Sequence, residues 1–241
     1  MKYLKVMSVI ILMASACLFL SCGGLRHSGE KRPQMKADNG KRIEASQIVD
    51  LGLKSGTLWA GWNIGAESPE GCGGYYSWGE TIDKEVYDWE HYFDLIGQDG
   101  DKRVFESFQP NGNRTIVGNP EADVATAVWG SHWTMPSKDQ IDELLRDCKW
   151  TWTSLKGQRG FVVRGPNKRR IFLPAAGCYF ENLGPSSISQ FDKTCFYWCG
   201  ELDERYTSRA YCLIMLENYP KYYDRNGERC DGKPVRAVYR P

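Results

Sequence analysis

Apolar and small residues run from Val6 to Leu20 behind two lysines, Lys2 and Lys5, and the run ends on Ser21-Cys22-Gly23-Gly24. A run of about fifteen residues is short of the roughly twenty needed to span a bilayer. The pattern predicts a secretory signal, residues 1–21, with a cysteine at the cleavage boundary, the layout of a bacterial lipoprotein precursor lipidated at Cys22. Cys17 is the rival site, but the polar chain begins directly after Cys22. Residues 22–45 are polar and charged with no apolar period, which predicts a flexible tether.

Alternation and short apolar runs begin near Gln47. Ile48, Val49, Leu51 and Leu53 predict a first strand in QIVDLGL; Leu58-Trp59-Ala60 and Tyr75-Tyr76-Ser77-Trp78 predict two more, separated by a Gly/Pro-rich turn segment. Asn119-Pro120 offers a cap and a first-turn proline for a helix over Glu121 to Trp129. Ser137-Lys138-Asp139-Gln140 fits a capping box, and Ile141, Leu144, Leu145 and Cys148 then fall on one stripe of a second helix. Trp150 and Trp152 alternate with Thr151 and Thr153 as a strand. Phe161-Val162-Val163 and Ile171-Phe172-Leu173 flank a turn at Gly165-Pro166-Asn167. Phe196 to Trp198, Tyr211 to Leu216 and Val235 to Tyr239 complete the strands. Two central helices with strands on either side predict a single α+β domain over residues 46–241.

Charge changes this picture little. Lys and Arg total 31 against 30 Asp and Glu, so nothing points to nucleic acid. Nine Trp and thirteen Tyr suit either a core or a sugar-binding face. Beyond Cys22 there are seven cysteines, at 72, 148, 178, 195, 199, 212 and 230. An exported chain can oxidise them, and an odd number leaves at least one out. The spacing of Cys195 and Cys199 is not that of a zinc knuckle, and His27, His91 and His132 are scattered. No metal and no cofactor is expected.

The strings VDLGLKSGTLWAGWNIGAESPEGCGGYYSWGET, WTMPSKDQIDELLRDCKWTW, IFLPAAG, FYWCGE and VRAVYRP occur in this order. They resemble the Fibrobacter succinogenes major paralogous domain family of bacterial exported lipoproteins, over roughly Ile48 to Pro241. That family is similar to the C-type-lectin-like fold, in the branch with formylglycine-generating enzymes and variable phage receptor-binding proteins. The resemblance implies two helices with antiparallel sheets and chain ends that pair, with QIVDLGL and VRAVYRP as the candidates. This chain has Tyr197-Trp198-Cys199-Gly200 where many members have Tyr-Trp-Ser-Ser, and its extra cysteines suggest a bridged variant. No functional residue transfers by motif.

Chemistry is thinly signalled. A formylglycine-generating enzyme would need reactive cysteines in the late segment, where Cys195 and Cys199 lie. On one strand they would stand about 13 Å apart, beyond disulfide reach. His132 beside Ser131 lacks a nucleophile-elbow sequence, and Asp99-Gly100-Asp101 lacks the rest of a calcium loop. Cys199 and Cys212 flank the polar loop Glu201 to Ser208, so a hairpin there makes them disulfide candidates, with Cys195 the competitor. The expected function is an exported, lipid-anchored cell-envelope module at the outer membrane, held by its lipid and binding a glycan or surface protein. Its contacts are expected on Tyr206, Arg209, Tyr222, Tyr223, Arg225, Asn226 and Arg229. The alternatives are an enzyme of formylglycine-generating or hydrolase type, and a structural envelope or fimbrial component.

Overall fold

The computed structural model describes residues 47–99, 102–108, 112–184, 186–217 and 227–241. Residues 1–46, with Cys22 and the stretches expected as signal and tether, lie outside the described residues, as do Tyr222, Tyr223, Arg225 and Asn226. The first strands are β1 (Ile48–Asp50), β2 (Leu58–Ala60), β3 (Leu95–Asp99) and β4 (Lys102–Phe105). Helix α1 (Val124–Trp129), β5 (Trp133–Thr134) and helix α2 (Lys138–Asp147) form the middle. Then follow β6 (Lys149–Leu155), β7 (Gln158–Arg164), β8 (Arg170–Pro174), β9 (Cys178–Tyr179), β10 (Ile188–Ser189), β11 (Thr194–Leu202), β12 (Arg209–Leu216), β13 (Gly227–Glu228) and β14 (Val238–Tyr239). The fold is α+β and mostly antiparallel sheet.

Local chemistry explains most elements. Ser137 accepts from the Gln140 N–H at 3.2 Å while the Gln140 side chain accepts from the Ser137 N–H at 2.9 Å, a complete capping box at the start of α2. Helix α1 starts later than the sequence predicts. Asp123, not Asn119, caps it: the buried carboxylate accepts from Ala125, Thr126, Gly118 and Met135 N–H groups. Burial raises the Asp123 carboxyl above its usual range, against those four hydrogen bonds, which each lower it. The β6–β7 hairpin closes on Lys156 (φ 48°) and Gly157 (φ 91°), the two left-handed residues of a type I′ turn.

The first and last described strands share one sheet without pairing. Sheet order is β1-β2-β14-β5, and Val238 pairs with both Trp59 and Thr134. QIVDLGL and VRAVYRP therefore do not pair directly; β2 lies between them, because the turn after Leu53 folds LWA back onto IVD. Tyr75 to Trp78 is not a strand but extended chain with a single bridge, Tyr76 to Lys233. Asp99 ends β3 and pairs with Lys102 at the start of β4, while Gly100 and Asp101 lie outside the described residues.

Two apolar clusters sandwich the β11–β12 ribbon. Trp198, Leu202, Ala210 and Cys212 face one, with Trp78, Trp133 and α1. Cys195, Tyr197, Leu213 and Met215 face the other, with α2, Phe161 and Leu173. Alternate residues thus enter opposite cores, so β11 reads as an almost continuous apolar run. Among the described residues no helix is long and apolar enough to cross a membrane.

Candidate functional site

The turn from β11 into β12 projects an aromatic group held by buried chemistry. Asp203, fully buried, accepts from the Arg205 N–H at 2.7 Å and the Tyr206 N–H at 3.1 Å, and Arg209 N–H donates to the Tyr206 carbonyl at 3.1 Å. This leaves the Tyr206 side chain 48% exposed. Two guanidinium groups attend its ring, Arg205 at 5.7 Å and Arg209 at 5.2 Å. Such contacts contribute about 0.5–1 kcal/mol each at the surface. Arg209 also donates to Glu228 at 2.7 Å across β12 and β13, which fixes its fork. Tyr206 and Arg209, two of the residues singled out by the sequence, therefore come together.

Arg229 does not join them at the surface, which corrects its assignment as a ligand contact. It is fully buried in an ion pair with equally buried Asp94. Its other bonds go to the Tyr92 hydroxyl at 2.9 Å and the carbonyls of Thr207 at 3.2 Å and Phe108 at 3.3 Å. Phe105 lies 4.1 Å beneath the guanidinium. A charge can be buried here because it is paired with Asp94 and makes three further hydrogen bonds. One guanidinium thus ties the Tyr206 turn to the segment running from Tyr92 to Phe108. That segment exposes Phe93 (51%), Ile96 (60%) and Val104 (37%).

The described cysteines form no disulfide. The Cys199–Cys212 bridge expected from the sequence is not formed: all seven described cysteines are thiols. The hairpin itself is present, but its register sets Trp198, not Cys199, opposite Cys212, and pairing is irregular between Trp198 and Leu202. A one-residue shift turns the Cys199 side chain away from its intended partner; Cys199 donates to Glu201 at 3.6 Å instead. Burial pushes the thiols of Cys195 and Cys199 well above the ordinary range. Burial, helped by Asp147 and Glu143, takes Cys148 up to about 11. None of these three supplies a ready thiolate at neutral pH. His132 bonds to the Arg240 carbonyl at 2.9 Å and stacks on Tyr239. His91 pairs with Asp88 on the surface.

Other polar groups were missed by the sequence. Lys233 is buried, bonded to Asp231 at 2.7 Å, with its ammonium 4.0 Å from the Trp198 ring. Burial would lower its pKa, but the Asp231 carboxylate beside it holds it above the usual value. Arg236 is also buried; it donates to Asn63 at 2.9 Å and to the Ala60 and Phe172 carbonyls, and burial lowers it to about 10. The sequence carries no signal for this burial: with Val235 and Ala237 inward, alternation would turn Arg236 outward, yet all three are buried. A shallow concavity of about 310 Å³ lies where Ser55 and Glu143 bond closely beside Asp139, Asp142 and Arg146. Among the described residues no cluster of His, Cys, Asp or Glu is arranged to hold a metal ion. No family model, no curated protein and no solved structure matches this chain, so the site is read from its own geometry.

Proposed function

We propose that this chain is an exported, lipid-anchored cell-envelope module that binds a glycan or surface protein and performs no reaction of its own. The observation that carries the reading is the Tyr206 ring, exposed between Arg205 and Arg209 on a turn fastened by buried Asp203 and Arg229. A planar aromatic stacks on a sugar ring or an apolar side chain, and guanidinium forks bond to carboxylates. A pre-ordered turn loses little freedom on binding. The resemblance to the major paralogous domain lipoproteins, with a C-type-lectin-like fold, belongs to this proposal. The enzyme reading draws no support from Cys195 or Cys199, whose thiols are buried in the core and hard to ionise.

The test is a glycan and surface-protein binding screen of the full chain, followed by variants against whatever binds. Tyr206→Ala should leave the melting temperature nearly unchanged and weaken binding about five-fold, on the order of 1 kcal/mol. Adding Arg205→Ala should weaken it further. Unaltered affinity in the double variant places the contact elsewhere. Turnover of a candidate substrate that disappears in Cys195→Ser, with the fold intact, removes the reading altogether.

Anchoring is tested separately. Cys22 follows Leu20-Ser21 and precedes a polar stretch. Diacylation plus N-acylation supplies more than one hydrocarbon chain, enough for stable attachment. Cells expressing the full chain with a labelled fatty acid should incorporate label, and Cys22→Ala should abolish it. Label and membrane retention in Cys22→Ala would refute the assignment.

A further inference from the structure

The three-stranded sheet β6-β7-β8 has one edge that meets its own core and one that does not. On β8, the Phe172 carbonyl accepts from Arg236 at 2.7 Å and the Leu173 carbonyl from Cys195 at 3.4 Å. On the other side β6 pairs with β7 alone. The two-residue turn makes Leu155 and Gln158 a hydrogen-bonded pair, and alternation then directs the backbone groups of Thr153, Thr151 and Lys149 toward β7. The N–H and C=O groups of Trp150, Trp152 and Ser154 consequently point outward. No backbone group of another described segment bonds to them.

Exposed edges are ordinarily guarded by charge, proline, a bulge or brevity. Strand β6 is seven residues long, with regular register throughout and neither charge nor proline from Trp150 to Leu155. Its sequence is also two-fold complementary to itself about Trp152. An antiparallel pair centred there sets Trp152 beside Trp152 of the second copy and Trp150 beside Ser154. On the exposed face Thr151 meets Thr153 and Thr153 meets Thr151, favourable cross-strand pairs. Lys149 falls opposite Leu155 rather than its own copy, so no like charges oppose each other.

We infer that β6 is a self-association edge, through which two copies of this chain join their β6–β8 sheets into one continuous antiparallel sheet about Trp152. A closed two-fold contact satisfies both edges at once and does not propagate. The inference is independent of the Tyr206 site.

Sedimentation velocity on the full chain in a non-ionic detergent, from about 1 μM to about 100 μM, should show a monomer–dimer equilibrium. Backbone hydrogen exchange read in the same range should slow at Trp150, Trp152 and Ser154 by about tenfold or more as the dimer fills. Thr151→Lys with Thr153→Lys removes no ladder bond to β7 but opposes lysines across the two-fold axis; it should weaken the dimer by about tenfold or more. Should that variant fail to fold, exchange on the parent chain still decides. A chain monomeric throughout overturns the inference, as does a dimer in which those three amides exchange as fast as in the monomer. Protection by an added unrelated extended peptide, with the chain itself monomeric, would also overturn it.

Discussion

Asp94→Ala should destabilise the domain by about 3–5 kcal/mol, because it strands the Arg229 guanidinium in the interior without its counter-charge. For a domain of about 200 residues this is on the order of 10 °C in Tm, measurable by thermal melts and denaturant titration. The stranded cation keeps the Tyr92 hydroxyl, two carbonyls and the Phe105 ring, none of them a counter-charge to offset its desolvation. Replacing both partners, Asp94→Leu with Arg229→Met, should recover much of the loss, since an apolar pair of similar volume removes the need to bury charge. It should not recover ligand binding. Without the guanidinium, nothing draws the Thr207 and Phe108 carbonyls to one point, and the Tyr206 turn loses its link to the Tyr92–Phe108 segment. Stability restored and binding lost would establish Arg229 as a positioning residue. An Asp94→Ala protein as stable as its parent would show that the pair carries no weight.

Trp198→Ala should cost a comparable 3–5 kcal/mol, roughly, for a different reason. The side chain is completely buried at the centre of one core, its indole N–H donates to the Tyr76 carbonyl at 2.7 Å, and its ring carries the Lys233 ammonium. Truncation removes a large apolar volume and uncovers a buried cation together. Trp198→Phe keeps a ring beneath Lys233 and forfeits the hydrogen bond and part of the volume. Tyr76 O still accepts from the Lys233 N–H at 3.0 Å, so no orphan carbonyl results, and the cost should fall to about 1–2 kcal/mol. Urea midpoints of the two variants decide this. Equal losses would mean that the ring face does not support Lys233.

What the sequence determined is what short-range chemistry specifies. The capping box at Ser137 and Gln140, the apolar stripe of α2, the Trp/Thr alternation of β6 and the hairpin around Gly165 need only neighbours within a few residues. The α+β class follows from their order. So does the exposed position of Tyr206, in a polar stretch between two apolar runs.

The tertiary structure alone decided pairings across long separations. Sequence reasoning places a late arginine on the surface, because a lone charge in the interior is prohibitive. Arg229 is inside because Asp94, distant by 135 residues, arrives beside it; Lys233 and Arg236 follow the same logic through Trp198, Asn63 and backbone carbonyls. Strand register was equally out of reach. A loop length places β11 next to β12, but the irregularity between Trp198 and Leu202 chooses which residue faces Cys212. Continuing the Leu202–Ala210 register would set Gly200 opposite Cys212; the slip brings Trp198 there and keeps the two faces of the ribbon, which a one-residue shift would exchange. That choice is made by the two cores on either side, which accept Trp198 in one and Tyr197 in the other.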